Sequence, residues 1–145
     1  MRKSTRVLVC GGAALVVALG MAISSAPAAT PNTIRVSYTS TGGQPNGLSY
    51  LSASSANGRY VAFTSAASNM VPGDTNGRQD VFVRDTVAGV TTRVSVSKPS
   101  GQANSSSIDP ALSSDGRHAA FTGYGSNLVP GDPNGYSDVF ARDNF

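Results

Sequence analysis

The chain of 145 residues contains the same segment twice, and this duplication limits its possible folds more than any other feature. Residues 33–87 align without a gap with residues 91–145, at an offset of 58, and 28 of the 55 aligned pairs are identical. The most similar stretches begin at Ser68 and Ser126 and read SNMVPGDTNGRQDVFVRD and SNLVPGDPNGYSDVFARD. Such a recurrence indicates a repeat architecture, in which each unit is one supersecondary element that packs on its neighbours.

Each unit has the pattern of short β-strands. Asn57-Gly58 and Asp115-Gly116 are tight-turn dipeptides, because both residue types accept a positive φ. Runs rich in β-branched and aromatic residues follow these turns, and a third run alternates between apolar and polar residues. No segment has a sustained period of 3.6 residues. The predicted strands, four for each repeat, include residues 50–54, 60–64, 80–85 and 90–96, and residues 108–113 match the first of these.

Four short strands that recur at a fixed interval are typical of a β-propeller blade. Val61-Ala62-Phe63 and Val81-Phe82-Val83 are apolar at consecutive positions, as expected for strands that are covered on both faces. The period of 58 exceeds a usual blade of roughly 40–50 residues, and the excess lies in the loop of residues 66–79. The sequence therefore predicts an all-β fold of propeller type, with two four-stranded antiparallel blades, the second incomplete.

The repeat resembles a known family. The pattern S-x-D-G-R-x-x-A-F from Ser113 to Phe121, followed by D-V-F-A-R-D from Asp138, resembles the TolB-type β-propeller repeat, a relative of the WD-repeat propellers. The VPGD-x-NG loop is similar to a version common in secreted bacterial proteins. The first unit departs from the pattern at Asn57, which suits the turn as well as Asp does. Because propellers of that family carry about six or more blades, the resemblance implies an architecture and leaves the activity open.

Two blades do not close a ring, so each outer face needs a cover. Exposed apolar faces of repeat units indicate an interface with another protein or with further repeats. The favoured interpretation is that the chain is the front part of a longer propeller. A second is self-association of several chains through the exposed blade faces. The missing fourth strand of the second unit could also come from residues 33–37, by wrapping round.

The first 29 residues have the plan of a secretory signal peptide. A basic stretch, residues 1–6, precedes an uncharged apolar stretch, residues 7–23, and small residues permit cleavage after Ala28 or Ala29. An uncleaved anchor is the alternative, but the apolar stretch falls short of the roughly 20 residues that span a bilayer. The prediction is a secreted or cell-envelope protein whose mature part, residues 30–145, has no membrane span.

The net charge of +3 belongs to this leader. Three of the 11 Lys and Arg residues lie within the first six positions, which leaves eight cations against eight Asp residues in the remainder. A nucleic-acid-binding surface needs a basic patch that displaces counterions from phosphates. A neutral mature chain therefore excludes nucleic acid as the expected partner.

A repeated acidic loop is the candidate metal site. Its oxygen-bearing residues stand at positions 1, 3 and 7 around a Gly turn, a set that could bind a hard cation such as Ca²⁺. The spacing does not match an EF-hand. The alternative, which we favour, is an Asx turn whose last Asp begins the next strand, with no cofactor. The residues are Asp74, Asn76 and Asp80 in the first unit and Asp132, Asn134 and Asp138 in the second.

Catalytic constellations are hard to assemble from this composition. His118 is the only histidine, Glu is absent, and no Gly-x-Ser-x-Gly elbow or phosphate-binding Gly loop occurs. We therefore assign no catalytic residue and expect an exported, non-catalytic scaffold that binds a protein or ligand. The alternatives are the propeller portion of a longer secreted, peptidase-like hydrolase and a self-assembling two-blade binding module.

Overall fold

A computed structural model describes residues 32–97, 101–132 and 134–144 of the chain. This part is all-β and contains no helix, so none of its segments is a candidate membrane-spanning helix. The predicted signal peptide, residues 1–29, lies outside the described residues. The strands are β1 (Ser49–Ser54), β2 (Tyr60–Ser65), β3 (Asp80–Asp85), β4 (Val90–Arg93), β5 (Val96–Ser97), β6 (Gly101–Gln102), β7 (Ser107–Leu112), β8 (His118–Gly123) and β9 (Asp138–Asp143).

The strands form three antiparallel sheets. The first has the order β1-β2-β3-β4, the third has the order β7-β8-β9, and β5 and β6 form a two-stranded sheet between them in sequence. β1 and β7 both carry an irregularity in register, at residues of positive φ, Leu51 and Asp109. The all-β prediction is confirmed, and the strands recur in a repeat-like arrangement. The propeller arrangement stays a prediction, since the described residues form no closed ring.

The turns before β2 and β8 are built in the same way. The Asn57 side-chain oxygen accepts a bond from the Arg59 N–H at 3.0 Å, and the Asp115 carboxylate accepts one from the Arg117 N–H at 3.0 Å. The glycines of both turns have positive φ, 69° at Gly58 and 76° at Gly116. Asn and Asp are thus interchangeable here, as the sequence predicts, because either side-chain oxygen can close the turn.

One predicted strand is wrong in its extent. Residues 90–96 alternate as a single strand would, but β4 ends at Arg93. The N–H groups of Val94 and Ser95 both point to the carbonyl oxygen of Val81, at 2.9 and 3.4 Å. The chain bends at this point, and β5 then begins at Val96. Residues 33–37, the equivalent segment of the first unit, lie outside any strand of the described part.

The first sheet is covered on both faces, as its apolar runs predict. Phe63 and Phe82 stack at 6.0 Å on one face, together with the buried Met70. On the other face, Val81 and Val83 join a cluster that includes side chains of the second unit. These second-unit members are Val94, Ala103, Ala119, Phe121 and Leu128.

Candidate functional site

The first acidic loop is held by an arginine of the second unit. Arg93 NH1 lies 3.1 Å from a carboxylate oxygen of Asp74 and 3.3 Å from one of Asp80. All three side chains are at least nine-tenths buried. The two carboxylates that the sequence singles out therefore come together around one guanidinium.

Ser95 and Asn76 complete the contacts of the Asp80 carboxylate. The Ser95 hydroxyl donates to Asp80 Oδ1 at 2.6 Å and accepts a bond from the Val81 N–H at 3.0 Å. Asn76 Nδ2 donates to Asp80 Oδ2 at 3.0 Å and to the Ala103 carbonyl at 3.2 Å. A buried carboxylate needs such donors, because its charge is otherwise poorly stabilised away from water.

Gln102 binds the same loop from the second unit. Its Oε1 accepts bonds from the N–H groups of Thr75 and Asn76, at 2.9 and 3.1 Å, and from Arg93 NH1 at 3.2 Å. Its Nε2 donates to the Thr75 hydroxyl at 2.8 Å. The loop of one unit and the strand region of the next are therefore joined by a network of charged and polar contacts, which we call the inter-unit contact.

The inter-unit contact contains unequal numbers of opposite charges, namely two carboxylates and one guanidinium. Burial raises the pKa of Asp74 above its ordinary value, the nearby charge of Asp80 raises it further, and Arg93 acts in the opposite direction. The pKa direction shows that burial and like charge together outweigh the arginine at Asp74. Arg93 is consequently the group that makes the burial of two carboxylates tolerable.

These contacts bear directly on the predicted calcium site. In the first loop the charge partner of Asp74 and Asp80 is Arg93, and Asn76 directs its amide nitrogen toward Asp80. A calcium ion would have to displace the guanidinium to reach both carboxylates. Among the residues that the structure describes, no group of three or more His, Cys, Asp or Glu side chains is placed to hold a metal. Calcium binding stays the less favoured alternative to the Asx turn, and a melting experiment can test it.

The second acidic loop repeats the turn without the arginine. Asn134 Nδ2 donates to Asp138 Oδ2 at 3.1 Å, and the Asn134 side-chain oxygen accepts the N–H of Tyr136 at 2.8 Å. Within the described ranges, however, neither Asp132 nor Asp138 forms an ion pair. The Asx-turn interpretation is consistent with both loops, whereas only the first loop has a charge partner.

The equivalent of Arg93 in the first unit is Arg35, and it is exposed. Arg35 NH1 donates to Gln44 Oε1, as Arg93 does to Gln102, and its guanidinium lies 4.2 Å from the centre of the Tyr38 ring. In the part of the chain with described coordinates, Arg35 has no carboxylate partner. The first unit thus presents the cationic half of the contact, and the second unit presents the acidic half.

Sequence reasoning missed the partners of the loop, although a signal for them exists. Arg93, Ser95 and Gln102 are identical to their equivalents in the first unit, Arg35, Ser37 and Gln44. Identity between the two units therefore indicated that these residues have a shared role. It could not show that they contact the preceding acidic loop. His118, by contrast, is exposed, and its backbone N–H binds the Ser113 hydroxyl in a turn.

The fold and the inter-unit contact define the class of protein only coarsely, as an all-β repeat protein with antiparallel sheets. No protein-family model matches the chain, and a search of the curated proteins finds no match. The inter-unit contact and the sheet faces are therefore the features from which a function can be inferred.

Proposed function

We propose that the chain is an exported, non-catalytic β-propeller segment that acts as a binding scaffold. The observation that carries this proposal is the difference between two equivalent valines. Val81 of β3 is fully buried, whereas Val139 of β9 is 78 % exposed. The second unit thus covers one face of the first sheet. The equivalent face of the second sheet is open. Open apolar faces of repeat units are interaction surfaces.

The sheet arrangement supports the propeller part of the proposal. β1 to β4 form a four-stranded antiparallel meander, which is the arrangement of a propeller blade. β7 contacts β1, β2 and β3, so the second unit packs on the first in the manner of a neighbouring repeat. The second sheet has the same meander through three strands. A fourth strand beside β9 would complete it.

The use of the polar side chains supports a non-catalytic role. Asp74, Asp80 and Arg93 neutralise one another at the inter-unit contact, and Ser95 is held by Asp80. A catalytic base must be free to accept a proton beside a nucleophile. The buried titratable groups described here serve instead to join two units.

The scaffold role is tested with an apolar fluorescent dye and a pair of matched variants. We expect the secreted chain to bind the dye at the open face, and Val139→Lys to reduce that binding. Val87→Lys is the control, because Val87 is 76 % exposed but lies in the turn after β3. Equal dye binding by wild type and Val139→Lys would contradict the proposal. So would turnover of generic peptide or ester substrates by the purified chain.

Export is tested separately by expression of the full sequence in a bacterial host. Mass spectrometry of the culture supernatant should find a chain that begins at Ala29 or Thr30. A chain that keeps residues 1–29 and stays with the membrane fraction would overturn the export part of the proposal. It would leave the dye experiment unaffected.

A further inference from the structure

We propose that the chain binds a second copy of itself head to tail, through a repetition of its own inter-unit contact. The inference rests on the proposed function, since it names the partner of the open face. The N-terminal edge, residues 33–44, is the head. The β9 edge, which consists of β9 with Asp132, Asn134 and Asp138, is the tail.

The internal contact shows what the intermolecular one would bury. β4 pairs antiparallel with β3, with Thr91 opposite Arg84 and Arg93 opposite Phe82. The offset of 58 places Thr33 and Arg35 of a second copy opposite Arg142 and Phe140. Among the described strands, the order β7-β8-β9 places β9 at the edge of its sheet, and an edge strand can pair with a further strand. Residues 33–35 would then become the fourth strand of the second sheet.

Exposure at equivalent positions supports this pairing. Thr91 is only 3 % exposed beneath its neighbours, whereas its equivalent Thr33 is exposed. At the tail, Val139 is 78 % exposed, whereas its equivalent Val81 is fully buried. Both edges therefore keep open, within this structure, the surface that the internal contact covers.

Charge complementarity selects the same two edges. Arg93 pairs with Asp74 and Asp80 inside the chain, and the equivalents of these three residues are Arg35, Asp132 and Asp138. Gln44 holds the Arg35 guanidinium as Gln102 holds that of Arg93. The head thus presents the Arg35 guanidinium in a fixed position, and the tail carries two carboxylates. Prearrangement lowers the conformational entropy that is lost on binding.

The intermolecular contact should be weaker than the internal one for two reasons. Gln102 accepts the N–H of Thr75 and donates to its hydroxyl, whereas the equivalent of Thr75 is Pro133, which has neither group. The internal contact also benefits from the covalent link between the units, which gives it a high effective concentration. Assembly should therefore depend on protein concentration.

The contact is heterologous, because head and tail are different surfaces, so it propagates into open chains or closes into a ring. This property permits a test with complementary half-blocked variants. Arg35→Ala removes the head and keeps the tail, and the double variant Asp132→Asn with Asp138→Asn removes the tail and keeps the head. Since the altered residues are not fully buried, we expect both variants to keep the circular dichroism spectrum and melting temperature of the wild type.

The measurement is sedimentation velocity of the exported chain over a range of concentrations. Wild type should form species larger than a dimer as concentration rises, and each variant alone should stay monomeric. An equimolar mixture of the two variants should form dimers and nothing larger. Arg78→Ala, which removes an exposed cation that belongs to neither edge, should assemble as wild type does.

Two outcomes would overturn the inference. One is a wild type that stays monomeric at all concentrations, which would mean that another partner covers the open face. The other is a mixture that stays monomeric while wild type associates, which would place association on a different surface. A monomer that still binds the apolar dye at Val139 would retain the proposed function, so the two failures are distinguishable.

Discussion

The Arg93 guanidinium, which belongs to the second unit, lies 3.3 Å from the fully buried carboxylate of Asp80 at the start of β3. The two residues are 13 positions apart in sequence but belong to different repeats. Asp74 lies on the same guanidinium at 3.1 Å. Because a buried carboxylate without a counter-charge is strongly unfavourable, the packing of the two units depends on this arginine.

We predict that Arg93→Met destabilises the chain by about 3–5 kcal/mol at neutral pH, because two buried carboxylates lose their cation. The loss should shrink as the pH falls, since burial raises the pKa of Asp74 and protonation of that carboxylate removes part of the unpaired charge. Urea denaturation at neutral and mildly acidic pH measures both effects. The matched control is Arg35→Met, which should leave the stability of dilute protein unchanged because Arg35 is exposed. Equal effects of the two substitutions would contradict the assigned role of Arg93.

We predict that Ser95→Ala costs about 1–3 kcal/mol, because the Ser95 hydroxyl serves two buried partners. It donates to Asp80 Oδ1 at 2.6 Å and accepts the N–H of Val81 at 3.0 Å. Ser37→Ala is the control at the equivalent position of the first unit, where Ser37 is half-buried. Urea denaturation of both variants should show a loss for Ser95→Ala that is clearly larger than that for Ser37→Ala.

The two turn glycines should respond differently to the same substitution. Both have positive φ, so Ala at either position strains the backbone by about 1–2 kcal/mol. A Cβ at Gly116 would also lie 2.3 Å from the Tyr60 ring, whereas a Cβ at Gly58 meets nothing within 4 Å. Tyr60 packs against the apolar core and cannot move without cost.

We therefore predict that Gly116→Ala lowers the free energy of unfolding by about 1–3 kcal/mol more than Gly58→Ala does, the range typical of overpacking. Thermal or urea denaturation of the two variants gives this difference directly. If both variants lose the same amount, Gly116 does not carry the packing between the two units that its contact with Tyr60 indicates.

Local patterns predicted most of the strands, whereas the site required tertiary information. β3 falls on residues 80–85 as predicted, because its apolar run is bounded by charged residues that end it. The prediction of a single strand over residues 90–96 failed at Val94, where long-range bonds to the Val81 carbonyl bend the chain. Periodicity describes neighbours along one strand and carries no information on such a bond.

The acidic loops illustrate the same limit. The spacing of Asp74, Asn76 and Asp80 is compatible with a cation site or with a turn, and the sequence left both open. Only the fold brings Arg93 to two of these residues. The internal repeat contained the remaining clue, because a residue that is identical in both units and buried in only one indicates an unfilled contact.

We predict that neither calcium nor a chelator changes the melting temperature of the wild type, because Arg93 already neutralises the first loop. Arg93→Met is the informative variant. With the guanidinium removed, the two carboxylates can attract a divalent cation, so millimolar calcium should raise the melting temperature of this variant. A calcium-dependent rise in the wild type would instead point to the second loop, and the double variant Asp132→Asn with Asp138→Asn should then abolish it.

The Asp85 carboxylate gives a separate prediction on pH. Arg59 binds it in a bidentate fashion, at 3.1 Å through Nε and 2.7 Å through NH2. The N–H groups of Val87 and Ala88 also donate to it, at 2.9 Å each. These donors, the Arg59 side chain first, lower the pKa of Asp85 from its ordinary value of 3.8 to about 2.

Because the folded-state pKa of Asp85 lies below that of the unfolded chain, its contribution to stability is complete above about pH 4 and is lost as the pH falls toward 2. The raised pKa of Asp74 has the opposite effect, because stability falls as the pH rises from the unfolded-state pKa of Asp74 to its higher folded-state pKa.

We predict that Arg59→Ala raises the pKa of Asp85 from about 2 toward 3.8. The rise should be partial, because the backbone donors remain. Carboxyl-carbon NMR titration measures this change, with Asp115 as an internal reference, because the hydroxyl of Ser113 lowers its pKa independently of Arg59. An unchanged titration of Asp85 in the variant would show that the backbone N–H groups, and not Arg59, hold this carboxylate ionised.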